Sequence, residues 1–203
     1  MTTGKGERSF VTGRDSKQHQ NVGPVSRSGL PPGRYEAVMI DFYGTIAAGD
    51  REIVETSCAS IAEAFHLPLS APALAERWGR RFFHAIEQAN RNGFRTLQTC
   101  EIESLEETLR ELGVETDGAP LVAELEAYWR DPPFYGDALE FLRNCPLPVC
   151  CVSNADAEPL AQAVDKLGAS FHAVVSSEEA RAYKPAPAIF ETALRRLGVS
   201  PDR

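Results

Sequence analysis

Three short runs in this 203-residue chain carry side chains that suit one another chemically. Asp41-Phe42-Tyr43-Gly44-Thr45 follows the apolar run Ala37-Val38-Met39-Ile40. Ser153-Asn154 closes a second apolar run, Pro148-Val149-Cys150-Cys151-Val152, and Lys184 stands in the loop Tyr183-Lys184-Pro185. A carboxylate at the end of a buried strand, with a tight glycine-containing loop behind it, is how an α/β protein presents a nucleophile or a metal ligand. Ligands collect outside the carboxyl ends of parallel strands. Such a carboxylate can attack an electrophile and form an ester or acyl phosphate, splitting one hard displacement into two easier steps. The Ser153 hydroxyl and the amide N–H groups at the next helix start can hold an oxyanion or a leaving anion. Lys184 can neutralise the charge gathered around Asp41. Taken singly, Asp41 reads first as a turn or cap residue, Ser153 as a helix cap and Lys184 as a solvated loop residue. Their order and spacing make the set specific.

The periodicity supplies elements to carry them. Tyr35–Asp41 is a strand. Val54, Cys58, Ile61 and Phe65 then recur at helical spacing. Leu74, Trp78, Phe82 and Ile86 mark a second helix with Pro72 near its first turn, and Ile102, Leu105, Leu109 and Leu112 a third that stops at Gly113. Leu121, Leu125 and Tyr128 or Trp129 mark a fourth, ended by Asp131-Pro132-Pro133. Residues 50–132 therefore read as all helical, an inserted domain and not a simple crossover. A helix over Gly136–Asn144, the strand ending at Ser153, a helix stopping at Gly168, a strand Phe171–Val175 ending in Ser176-Ser177, and a last helix bearing Ile189 and Ala193 follow. This alternation predicts a parallel sheet with right-handed crossovers.

Composition narrows the function classes. The chain is 43% hydrophobic and 25% charged, ordinary for a globular protein, with a net charge of −8. Residues 1–34 hold six Lys/Arg against two Asp/Glu, so the other residues carry about −12. So acidic a body argues against nucleic-acid binding, which needs a basic face. Residues 1–34 have few apolar side chains and read as a disordered tail. Five cysteines show no metal-ligand spacing, and Cys150 and Cys151 read as small buried hydrophobes. No run approaches a membrane span and the N-terminus has no apolar signal core. The expectation is a cytoplasmic protein with a small-molecule substrate, capable of homo-oligomerisation.

The three runs, in this order, resemble the motifs of the haloacid dehalogenase superfamily of hydrolases over residues 35–203. Asp41–Thr45 is similar to the first motif, Val152-Ser153-Asn154 to the second and Lys184-Pro185 to the third. The resemblance implies an α/β fold: a Rossmann-like parallel-sheet core of residues 35–49 and 133–203, with residues 50–132 as an all-helical cap. It makes Asp41 the nucleophile, with Ser153 binding the transferred group and Lys184 orienting Asp41 and screening its charge. Tyr43, Thr45, Asn154 and the cap arginine Arg80 would line the substrate pocket. In the phosphatase branch, Mg²⁺ binds the nucleophilic Asp, the backbone carbonyl at Tyr43 and a further carboxylate; the dehalogenase branch needs no metal.

Two departures bear on this reading. Most phosphatases of the family have a second Asp where Tyr43 stands, and a tyrosine is a poor base at neutral pH. Asp-x-Tyr-Gly-Thr is typical of 2-haloacid dehalogenases, whose leaving halide needs no proton. The family's next strand, which ends in the acidic fourth motif and lies beside the first strand, has no counterpart before Arg203. The core would then lack its last strands, expose the Asp41 strand at an edge and lack the further acidic metal ligand. The expectation is a hydrolase of a small phosphate ester, with a 2-haloacid as the second choice. The rival is a truncated, non-catalytic fold used for binding or assembly.

Overall fold

A computed structural model describes residues 35–201, so the tail expected over residues 1–34 lies outside the described residues. The sheet contains β1 (Val38–Ile40), β2 (Val149–Ser153) and β3 (Ala173–Ser176), all parallel, in the order β1-β2-β3. Between β1 and β2 run five helices: α1 (Asp50–Ala64), α2 (Ala71–Asn92), α3 (Leu97–Glu111), α4 (Ala123–Arg130) and α5 (Gly136–Asn144). A 3₁₀ turn, Ala119–Val122, leads into α4. Beyond β2 lie α6 (Ala157–Lys166), the short α7 (Ser177–Ala180) and α8 (Pro187–Leu197). The α/β core with an inserted helical cap is thus as the sequence predicts.

Strand β2 is buried along its whole length, which explains its unbroken apolar run: a central parallel strand is covered on both faces. Its side chains alternate. Val149 and Cys151 join one cluster with Phe42, Ile46, Leu142 and Leu160, while Cys150 and Val152 join Val175, Ile189 and Ala193. The first strand is shorter than expected, because β1 pairs with β2 alone and is only half-buried. The third is shifted toward the C-terminus: Phe171 lies before the strand, near the Phe42 ring at 6.4 Å.

The cap has its own core of Cys58, Ile61, Leu74, Trp78, Leu105, Leu109, Val122 and Leu125. Each fully buried aliphatic side chain of this kind contributes about 1.5–3 kcal/mol. Cap helix α3 begins on core residue Asp156, whose Oδ1 and Oδ2 accept from the Leu97 and Gln98 N–H groups at 2.7 and 3.0 Å. The Thr96 hydroxyl accepts from the Thr99 N–H at 3.2 Å. Three first-turn donors that the helix cannot satisfy itself are therefore met, two of them by a carboxylate suited to a helix N-terminus. No helix among the described residues is long and apolar enough to cross a membrane.

Candidate active site

The parallel register pairs Ile40 with Cys151 and Ser153 with Ser176, so the chain leaves β1, β2 and β3 at one edge. Asp41 comes one residue beyond β1. Two carbonyls tie its turn: Phe42 O accepts from the N–H groups of Thr45, Ile46 and Ala47 at 3.2, 2.7 and 2.9 Å, and Ala47 O accepts from the Gly44 N–H at 2.9 Å. The Phe42 side chain is fully buried and anchors the turn to the core. Gly44 sits at φ +78°, and a Cβ there would stand 3.2 Å from Asp50 Oδ2. Glycine is demanded both by the left-handed turn and by that close approach.

Lys184 reaches back to this turn. Its Nζ lies 2.6 Å from Asp41 Oδ1 and donates to Val152 O at 2.9 Å. Asp41 Oδ1 also accepts from the Phe42 N–H at 2.8 Å. The Asp41 side chain is 45% exposed and that of Lys184 is 21% exposed, so the pair sits at the lip of the sheet where a substrate can reach the carboxylate. Asn154 fixes the lysine backbone: its Oδ1 accepts from the Lys184 N–H at 2.7 Å. Ser153 is buried at the end of β2. The loop after it is pinned by Ser177, whose hydroxyl donates to Ala155 O and accepts from the Ala155 N–H, both at 3.0 Å. Asp41, Lys184, Asn154 and the β2 end thus form one connected group.

Tyr43 points into the cap. Its hydroxyl donates to the Trp129 carbonyl at 2.5 Å, and its ring meets that of Trp129 edge-on with centroids 4.9 Å apart. Burial, then the neighbouring Tyr128 hydroxyl, push its pKa well above the ordinary phenol value. Its backbone carbonyl takes no part in the ring of turn bonds. Thr45 is exposed on the turn.

Arg80 is the one expected pocket residue set apart from this group. It lies on the outer face of α2, paired with Glu76 one turn back, and its side chain is 65% exposed. An exposed i,i+4 partner in the same helix holds it there. It lines a cleft of about 630 Å³ between α2 and α3, whose other arginines are also paired with glutamates. That cleft includes no residue of the Asp41 group. Where the cap meets the core, beside Tyr43, Trp129, Ala155 and Asp156, the space is only about 10 Å³.

For a divalent metal the turn offers the Asp41 carboxylate and the Tyr43 carbonyl. Among the described residues there is no cluster of three or more His, Cys, Asp or Glu that could hold an ion. Mg²⁺ keeps several waters and binds through one or two carboxylates; the turn supplies one carboxylate, which is paired with Lys184, and one carbonyl.

Sequence patterns gave no sign of two contributors. Trp129 reads as helix stripe, yet its carbonyl receives Tyr43. Asp156 follows Ser153-Asn154 and resembles a cap for its own helix, yet its carboxylate serves α3. In both cases the decisive partner is distant in sequence.

A family model for haloacid dehalogenase-like hydrolases matches residues 35–203. No curated protein matches the chain. Among solved structures, it is similar to an L-2-haloacid dehalogenase from Xanthobacter autotrophicus with chloropropionic acid covalently bound. The identity is 27% and the TM-score 0.63, over 82% of this chain and 66% of that one, so the chain spans just under two thirds of that protein's length. A defluorinating L-2-haloacid dehalogenase gives 26% identity and a TM-score of 0.64, over 82% of this chain and 70% of that one. A dehalogenase with an intermediate complex gives 27% and 0.61, over 82% and 72%.

Proposed function

Since this chain belongs to the haloacid dehalogenase-like hydrolase family, we propose that it hydrolyses a small 2-haloalkanoic acid through a covalent ester on Asp41. The observation that carries this reading is the Tyr43 hydroxyl. It is part-buried, has its pKa pushed up, and is committed to the Trp129 carbonyl, so the position two residues beyond the nucleophile has no proton to exchange at neutral pH. Departure of a halide needs none. The likeness to dehalogenases at 26–27% identity supports the same choice.

Both contacts of the Asp41 carboxylate fall on Oδ1, which leaves Oδ2 to attack. Oδ2 forms a bond to C2 of the substrate as the C2–halogen bond breaks, and the halide leaves with the bonding pair. Water then adds to Asp41 Cγ and the Cγ–Oδ2 bond breaks: Oδ2 leaves as the hydroxyl oxygen of the 2-hydroxy acid with one proton of the water, the other proton passes to solvent, and the oxygen of the water restores the carboxylate. Lys184 holds Oδ1 in place, keeps the attacking oxygen outward, and offsets negative charge on the ester carbonyl as water adds. In this reading residues 50–132 act as the cap over a core of residues 35–49 and 133–203, and Ser153, Asn154 and Thr45 border the substrate. Arg80 keeps a substrate role only if its pair with Glu76 opens.

A phosphate ester is the second reading, favoured by the Ser153-Asn154-Ala155-Asp156 run. It calls for a proton-exchanging group where Tyr43 stands, and the Tyr43 hydroxyl is committed to the Trp129 carbonyl. The deciding experiment is turnover by the purified chain across 2-haloacids and phosphate esters, with and without Mg²⁺. Metal-independent halide release, lost in Asp41→Asn, is expected. Metal-dependent phosphate release would replace this reading with the second. Undiminished activity in Asp41→Asn would remove the nucleophile assignment, and a folded chain inactive on every substrate would favour a non-catalytic role.

A further inference from the structure

Lys184 belongs to the core, but the loop bearing it is held by the cap. Tyr183, the residue before it, is completely buried, and its cluster is otherwise made of α2, α3 and their connection: Ile86, Ala89, Phe94, Leu97 and Cys100. Its ring stacks on Phe94 with centroids 5.0 Å apart and planes 21° apart, and its hydroxyl donates to Arg95 O at 2.8 Å. Arg181, two residues earlier, places its guanidinium 4.7 Å from the Phe94 ring centroid. Asn90, near the end of α2, holds the backbone as well: its Oδ1 accepts from the Tyr183 N–H at 2.8 Å and its Nδ2 donates to Tyr183 O at 3.1 Å. The N–H at the other end of that peptide group, on Lys184, is held from the core by Asn154 Oδ1. The lysine therefore stands between one amide clamp from the cap and one from the sheet.

We propose that Asn90 and Tyr183 are positioning residues that couple cap docking to the placement of the Lys184 ammonium on Asp41. Neither touches the carboxylate. They act by fixing the backbone from which a four-carbon side chain spans to Oδ1, and a lysine unconstrained at its root has many rotamers that miss it. Cap movement away from the core must either break these contacts or carry the lysine with it. The ion pair is thus assembled when the cap is seated and loosened when it lifts, the arrangement expected where closure completes a catalytic group. The inference rests on the proposed role of Lys184 in turnover, but the contacts can be tested without turnover.

The test compares Asn90→Ala, Tyr183→Phe and Asn92→Ala. Asn92 is on the same helix, and among the described residues its side chain bonds to Gln88 on that helix, so its variant is the control. The sequence has four lysines, Lys5, Lys17, Lys166 and Lys184, and their acylation by a water-soluble amine reagent can be followed peptide by peptide. Lys166, paired with Asp131, is the internal reference. Losing two hydrogen bonds at one site should raise the Lys184-to-Lys166 rate ratio about tenfold in Asn90→Ala and a few-fold in Tyr183→Phe, with no change in Asn92→Ala. On a turned-over substrate, kcat should fall by a similar factor while KM holds, because the lost contacts act on the nucleophile and not on substrate binding. An unchanged Lys184 ratio in folded Asn90→Ala and Tyr183→Phe overturns the coupling, even if Asp41→Asn abolishes activity. A raised ratio in a chain that turns over nothing sustains the coupling while the hydrolase reading fails. Should Asn90→Ala not fold, Asn90→Asp, which keeps the acceptor for the Tyr183 N–H, supplies the comparison, and an unchanged ratio there and in Tyr183→Phe counts against the proposal.

Discussion

Asp41 and Lys184 form an ion pair of 2.6 Å whose two ends are held by different means. The carboxylate is fixed by its own turn, through the Phe42 N–H and the buried Phe42 ring. The ammonium is fixed at long range, by Val152 O, by Asn154 and, through Tyr183, by the cap. A short sequence motif therefore suffices to place the nucleophile, whereas placing its counter-charge takes most of the fold.

Lys184→Ala should separate catalysis from stability. Electrostatic groups of this kind typically contribute about 10²–10³ in turnover, so kcat/KM should fall by that order. The pair is partly open to water, and ion pairs that water reaches contribute about 1 kcal/mol or less, so the urea midpoint should move little. Steady-state kinetics and equilibrium unfolding on one preparation check both. A large stability loss with intact turnover would make the lysine structural.

Tyr43→Phe should do the reverse. The hydroxyl joins the nucleophile turn to the Trp129 carbonyl of the cap, and deleting it strands a part-buried acceptor. Such a loss costs about 1–2 kcal/mol, read as a lower urea midpoint, while turnover stays within about twofold because the tyrosine moves no proton. A loss of 10²-fold or more together with an altered pH profile would assign it the acid–base role after all.

The sheet, the helical insert and the strand-end residues were legible because each leaves a local mark. Buried parallel strands give apolar runs, amphipathic helices give a 3.6-residue period, and Asp41, Ser153 and Lys184 sit at the ends of such runs. Local patterns could not show contacts made across the chain. Asn90 looks like any polar residue near a helix end, and Tyr183 like part of a loop, until α2 and α3 close around it. Arg80 went the other way: its type and region suited a substrate carboxylate, but Glu76 four residues earlier offered a nearer partner.

Glu101 gives the cap a pH-dependent stability that no motif announces. It is 4% exposed within α3; its Oε1 accepts from Trp129 Nε1 at 3.0 Å, and its Oε2 meets no hydrogen-bond partner among the described residues. Burial, then the charge of Glu126, push its pKa well above the ordinary glutamate value, against a smaller opposing effect of the Trp129 hydrogen bond. The folded chain thus keeps this proton over a range where the unfolded chain has released it. Fewer protons bound in the unfolded state mean that unfolding free energy falls as pH rises, by about 1.4 kcal/mol per pH unit. The fall begins near the ordinary glutamate pKa and ends at the raised folded value. Glu101→Gln keeps a carbonyl for Trp129 Nε1 and is neutral at every pH, so it lacks this term. Urea unfolding of both proteins from pH 5 to 8 should give curves that diverge, with the variant gaining on the parent as pH rises. Other titrating groups cancel in the difference. Parallel curves would mean that Glu101 is charged in the folded chain.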